Sequence, residues 1–191
     1  MKVITIFLAT MFHLIICISF ANAGLYDRGE GLVYDDILDI TWLQNANYAG
    51  NTFKWSDATT WADSLVFQGY DDWRLPAFDA SCSENNCTGN EMGHLYYSSH
   101  ISSATPGFFT DVRPFMYWYG TEDAADDTKA WRFNFSSGSQ GTSSKTYSRY
   151  AWAVRDGDSA APVAPEPISS ILFLTGGATL AARKFRKYRI E

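Results

Sequence analysis

Two hydropathy periods divide the middle of the chain. In LVYDDILDITWLQNAN, the runs Leu32 to Tyr34 and Ile40 to Leu43 are rich in β-branched and aromatic residues and are separated by Asp35, Asp36 and Asp39. That pattern predicts a hairpin around an acidic turn. Further on, Ala58, Trp61, Ala62 and Leu65 recur at i, i+3, i+4 and i+7, an amphipathic helix with Ser56 as N-cap and Gly69 as its stop. EMGHLYYSS, after Thr88 or Asn90, predicts a second, shorter helix, and Glu91 suits its positive end. From Met116 the period becomes two: MYWYGT, AWRFNF and YAWAVRD alternate large apolar residues with others. Trp131, Phe133 and Phe135 share one face, Trp152 and Val154 share another, and SSGS reads as a turn. Strands, then helices, then strands predict an α+β domain with one mainly antiparallel sheet, two helices and long loops.

The two ends follow different rules. Behind Lys2, a mostly apolar run from Val3 to Phe20 leads to Ala21-Asn22-Ala23, with small residues at the two positions a signal peptidase reads. Residues 1–23 are therefore expected to be a secretory signal peptide cut before Gly24; a first transmembrane helix is the alternative. At the other end, Pro165-Glu166-Pro167 precedes ISSILFLTGGATLAA and the basic tail RKFRKYR. This order resembles a PEP-CTERM sorting signal. The resemblance implies processing by an exosortase at the Pro-Glu-Pro motif, in a Gram-negative bacterium that makes exopolysaccharide. Fifteen apolar residues at ~1.5 Å each reach only ~22 Å of a ~30 Å hydrocarbon core, a marginal permanent anchor. Arg183, Lys184, Arg186, Lys187 and Arg189 would hold the tail in the cytoplasm and leave the domain outside. A plain, uncleaved anchor gives the same topology. The expected organisation is a domain over 24–158, a linker over 159–167, and a sorting helix with its tail over 168–191, in a protein exported to the cell envelope or beyond.

Charge narrows the partners. Residues 24–161 hold nineteen Asp and Glu against nine Lys and Arg, ten net negative charges, whereas the whole chain stands at −6 because of its basic tail. A domain this acidic is a poor partner for nucleic acid or sulfated polymers, which are bound by neutralising anions. Neutral or cation-bridged polysaccharide is the expected ligand class.

Cys17 leaves with the leader, and Cys82 and Cys87 remain as CSENNC. An even pair in an oxidising compartment predicts a disulfide around a small loop. With His94 and His100 the cysteines also form C-x4-C-x6-H-x5-H, but the central spacer is about half the usual twelve or more residues of a zinc site.

GYDDWRLP, residues 69–76, poses the question of catalysis. Arg74 paired with Asp71, Asp72 or a loop carbonyl, Trp73 buried on the C-terminal strands, and Pro76 ending any ladder would make it a structural latch. A hydrolase would need a second carboxylate about 5–9 Å from Asp72 across a cleft, and sequence neighbours on an extended chain point apart. The expectation is no catalytic residue. TEDAADDTK carries Glu122, Asp123, Asp126 and Asp127, a weak calcium candidate that surface acidity explains equally well. All seven tryptophans precede the linker, and most must be core. Tyr117 and Tyr119, flanking Trp118, together with Arg132, Asn134, Glu122 and Asp123, are the candidate glycan surface.

GLVYDDILDITWLQNAN, the helix around Trp61, GYDDWRLP, NEMGHLYY, YWYGTED, AWRFNFSSGSQ and YAWAVRDGD, in this order, resemble the Lcl C-terminal domain family. The resemblance implies a C-type-lectin-like fold and a role in binding extracellular polysaccharide or surfaces, as in adhesion or a biofilm matrix, with no agreed catalytic residues. The chain lacks the collagen repeats of the adhesin that names the family, and the Glu-Pro-Asn calcium and sugar motif of animal lectins. Three functions are therefore in view: a weak polysaccharide binder, a ligand-free structural matrix protein, and a polysaccharide hydrolase using Asp72.

Overall fold

The computed structural model describes residues 24–159. The expected signal peptide, the Pro165-Glu166-Pro167 motif and the sorting helix lie outside the described residues. Nine strands and two helices follow one another as β1 (Leu25–Gly29), β2 (Leu32–Asp35), β3 (Ile40–Leu43), β4 (Thr52–Phe53), α1 (Trp55–Asp63), α2 (Glu91–Tyr97), β5 (Met116–Glu122), β6 (Lys129–Asn134), β7 (Gln140–Ser144), β8 (Arg149–Tyr150) and β9 (Val154–Asp156). The class is α+β, mainly antiparallel, with long loops. The strands divide into two sheets rather than one, in the orders β1-β2-β3-β9 and β4-β8-β5-β6-β7, and only the β5–β8 pairing is parallel. Among the described residues no helix is long and apolar enough to cross a membrane.

The hairpin forms as its pattern predicts, Leu32 opposite Leu43 and Asp35 opposite Ile40. The last predicted strand does not stay whole. YAWAVRD ends β8 at Tyr150 in one sheet, crosses through Ala151–Ala153, and starts β9 in the other. Trp152 is the pivot of this crossing. Its indole N–H donates to the Leu43 carbonyl at 2.7 Å, and its ring packs edge-on against Trp42 and Phe109, each with centroids 5.0 Å away. A strand that changes sheets needs a large side chain to fill the corner, and the alternating pattern carries no sign of the change.

Helix α1 begins earlier than expected. Its N-cap is Lys54, without a side-chain cap, and Ser56 lies in the first turn. Trp55 fixes this start: its backbone N–H donates to the Lys145 carbonyl, and its indole N–H donates to the Tyr119 carbonyl at 2.8 Å. Ala58 and Ala62 then sit on Trp118, Ala130, Ala151 and Leu75 in a small second core. The main core lies on the opposite face of the same sheet, where Tyr117, Tyr119, Phe133 and Phe135 meet Trp42, Trp73 and Trp152. In α2, Gly93 allows the close approach of the disulfide loop, since a Cβ there would collide with the Cys87 carbonyl oxygen.

Replacing Trp152 by Ala should cost about 3–5 kcal/mol, the usual range for an emptied aromatic site. Near-ultraviolet circular dichroism and urea unfolding should show both sheets lost in one transition; two separate transitions would refute the pivot.

Candidate functional site

GYDDWRLP joins the two sheets through its backbone. Arg74 exchanges hydrogen bonds with Val154 of β9 (N–H to carbonyl 2.8 Å, carbonyl from N–H 2.9 Å), and the Pro76 carbonyl accepts from Gly120 of β5 at 2.8 Å. Because the segment crosses between layers, Trp73 and Leu75 enter different cores although both project to the same side of an extended chain. Trp73 is 2% exposed and packs edge-on against Phe67.

The guanidinium of Arg74 uses all five of its N–H groups. Two donate to Glu91 at 2.9 and 2.7 Å, two reach Asp156 Oδ1 at 3.2 and 2.6 Å, and one reaches the Leu75 carbonyl at 3.2 Å. Burial disfavours its charge, but the carboxylates of Glu91 and Asp156 outweigh that and hold it firmly protonated. Glu91 also accepts the Ala77 N–H at 2.6 Å. The expected pairing with Asp71 or Asp72 is therefore corrected. Asp71 is exposed, and Asp72 pairs bidentately with Arg155 at 2.7 and 2.9 Å, which holds its carboxyl below the usual range. Alternation does not separate Asp72 from Arg74, two residues apart; Asp72 is taken by Arg155 of β9, and Arg74 meets its acids on α2 and β9 instead. Arg155 in turn lies 4.0 Å from the Tyr70 ring.

Cys82 and Cys87 form a disulfide with Cα atoms 5.6 Å apart, so the zinc spacing is not used. Asn90 ties the loop to the fold, donating to the Cys82 carbonyl at 2.8 Å and to Gln140 at 3.1 Å, and accepting from Asp79. His94 is buried beside Asp35, its Nε2 lying 3.7 Å from Asp35 Oδ2. Asp35 is fully buried, burial pushes its pKa up, and its other oxygen accepts the N–H groups of Ile37 and Leu38.

The six residues expected to form a glycan surface do not come together. Tyr117 and Tyr119 are fully buried in the main core, and the Tyr117 hydroxyl accepts the Arg113 N–H at 2.8 Å. Alternation along β5 placed Trp118 inside and its neighbours outside, but α1 covers the face that Trp118 occupies, so both faces of the strand are buried. Glu122 pairs with Lys145 at 2.7 Å, and Asp123 caps its own turn through Ala125 N–H. Asp126 accepts from Thr128 and pairs with Lys129 at 2.8 Å, which lowers its pKa to about 2, while Asp127 is exposed. Among the described residues no group of three His, Cys, Asp or Glu side chains is placed to hold a metal ion. Asn134 stands opposite Met116 near the other end of β5, some 20 Å from Glu122 at about 3.3 Å per residue, and Arg132 stands opposite Trp118, roughly 13 Å from Glu122.

At that end lies a cleft of about 380 Å³, lined by Thr52, Phe115, Met116, Asn134, Ser148, Arg149 and Tyr150. Phe115 is 59% exposed and stacks on Tyr150 with centroids 6.2 Å apart and ring planes 30° from parallel. Asn134 turns its side-chain carbonyl to Ser136, and its amide N–H2 has no acceptor among the described residues. Arg149 lies over Trp118 and Tyr147, with its Nη1 on the Ser148 carbonyl at 3.1 Å. Burial, then the charge of Arg149, lowers the pKa of Arg132. Neither arginine forms a salt bridge among the described residues. Asn134 was identifiable from its face on AWRFNF. Phe115, Arg149 and Tyr150 were not, because a two-residue strand paired in parallel across a long separation leaves no periodic signal.

The family model described as the Lcl C-terminal domain matches residues 31–155. A comparison with curated proteins returned no match.

Arg74→Lys should destabilise the domain by about 2–3 kcal/mol, since one ammonium cannot reproduce the bidentate contact with Glu91 together with the two bonds to Asp156 Oδ1. Asp72→Asn should fold, should be somewhat less stable than the parent near pH 7, and should make stability less dependent on pH in acid. A depressed carboxyl contributes above its unfolded value of about 3.9 and loses that contribution as pH falls through the folded value. Urea midpoints between pH 2 and 7 measure both effects.

Proposed function

This chain belongs to the Lcl C-terminal domain family, and on that premise we propose that it is an exported, non-enzymatic module that binds extracellular polysaccharide weakly through the cleft at the end of the second sheet. Membership in the family marks a surface or secreted protein; adhesion or matrix attachment is our reading of the site. The observation that carries it is the stacked Phe115–Tyr150 pair, open to solvent and flanked by the free amide of Asn134 and the guanidinium of Arg149. A sugar ring has apolar C–H faces that stack on aromatics and hydroxyls that need donors at its edge. Net acidity favoured a neutral glycan, but the field at the cleft is local. Arg149, an arginine of the cleft without a carboxylate partner among the described residues, favours a ring that carries a carboxylate, and a cation is then not required as a bridge.

Nothing in the latch argues for hydrolysis, because Asp72, Glu91 and Asp156 each face an arginine. Sorting by signal peptidase and an exosortase-type enzyme, with transient anchoring through the C-terminal helix, completes the proposal and would deliver the domain to the envelope or matrix.

The test is a titration of the exported, purified chain with a neutral oligosaccharide and an oligouronate of equal length, in calcium and in chelator, followed by tryptophan fluorescence and calorimetry. We expect saturable oligouronate binding with Kd on the order of 0.1–1 mM, unaffected by chelator and weakened about tenfold or more by Arg149→Ala or Phe115→Ala. Absence of saturable binding by either ligand would leave the ligand-free matrix protein as the better reading.

A further inference from the structure

Gly24 is the residue that cleavage after Ala21-Asn22-Ala23 would expose. Gly24 is buried, has φ +67°, and its carbonyl accepts the Asp36 N–H at 2.8 Å. A Cβ there would lie 2.7 Å from Ile37 Cγ1, 2.9 Å from Asp36 Oδ1 and 3.5 Å from Asp35 Oδ1. A side chain there would be strained and would have to displace Ile37 and Asp36, so the position favours glycine. Its backbone nitrogen stands about 2.5 Å from that Cβ position by covalent geometry, so it lies within roughly 5.5 Å of the Asp36 carboxylate and roughly 6 Å of Asp35.

These acids lack a strong cation. Among the described residues, neither Asp35 nor Asp36 forms an ion pair with Lys or Arg, and Asp35 has only the imidazole of His94 near it. Asp35 is fully buried; its Oδ2 faces the His94 ring, and its Oδ1, the oxygen nearer Gly24, accepts only the backbone N–H groups of Ile37 and Leu38. The titratable and charged groups of the surrounding elements are Asp39 of the same turn, Tyr26 and Arg28 of β1, Tyr34 of β2 and His94 of α2. Arg28 is committed elsewhere, to Asp158 and to the Tyr26 and Tyr34 rings.

We propose that removal of the leader creates an electrostatic clasp, in which the new α-ammonium of Gly24 docks on the Asp35–Asp36 turn and fastens β1 to the first sheet. Chemically, water adds across the Ala23–Gly24 amide, the C–N bond breaks, Ala23 leaves as a carboxylate, and the released amine takes up a proton. Before cleavage that nitrogen is an amide and carries no charge. The acidic turn is then left without its cation, and the domain is less stable until it has been processed. This suits an exported chain, which must cross the membrane unfolded and hold its fold afterwards. The clasp is independent of the polysaccharide reading, and its test does not involve a ligand.

The full chain, exported with its own leader in a Gram-negative host, is purified and its N-terminal residue identified by mass spectrometry. It is compared with a chain carrying one extra alanine between Ala23 and Gly24, which displaces the ammonium by one residue. We expect Gly24 at the N-terminus, and a melting temperature about 3–5 °C above that of the extended chain near pH 7. An amine stabilised in the folded state contributes fully below its unfolded value of about 7.7–8.0, and the contribution disappears as pH rises through the higher folded value. The gap should therefore close by about pH 10. It should also shrink when Asp36→Asn is introduced into both chains. A different natural N-terminus, equal melting temperatures near pH 7, or a gap that persists at pH 10 would overturn the proposal; the pH comparison stands even if the Asp36→Asn chains fail to fold.

Discussion

The guanidinium of Arg74 occupies the point where three parts of the molecule meet: helix α2 through Glu91, strand β9 through Asp156 and Val154, and the segment leading to β5 through Leu75 and Pro76. Each of its five N–H groups has an acceptor, so its burial costs little, whereas loss of the side chain would strand two carboxylates. The disulfide loop rests on the same arrangement. It holds Asn90, Asn90 begins α2, and α2 presents Glu91. A motif that could have been read as an acid pair is thus the place where the two sheets are fixed to each other.

That fixing determines what the second sheet can offer. With one face on the main core and the other partly covered by α1, most of its aromatic residues are buried, Trp118 as completely as Tyr117 and Tyr119. The sheet is left open around Phe115, Asn134 and Arg149, beside Thr52 of β4, the strand that leads into α1.

Electrostatics acts at two scales here. The domain is strongly acidic as a whole, yet its basic residues are not spread evenly against the acids. Arg74, Arg155, Lys129 and Lys145 are spent on ion pairs, while among the described residues Arg132 and Arg149 form none, and Arg149 lines the cleft. The acidic turn at Asp35 and Asp36 is the converse, negative charge gathered where the chain itself can supply the cation. Net charge describes solubility and encounter; the local field describes what each site can hold.

The sequence by itself determined most of the elements. Periodicity marked the hairpin at Asp35 to Asp39, the helix through Ala58 and Ala62, the Met116 and Trp131 strands and the Cys82–Cys87 bridge, because each depends on neighbours within a few residues. Only the tertiary structure decided how many faces of a strand are buried, which acids Arg74 meets, and that YAWAVRD changes sheets at Trp152. Those outcomes rest on contacts between residues dozens of positions apart, Arg149 with Phe53 or Trp152 with Leu43, and a period of two records alternation without saying what lies on either side. For that reason Tyr117 and Tyr119, which alternation put on an outer face, are buried.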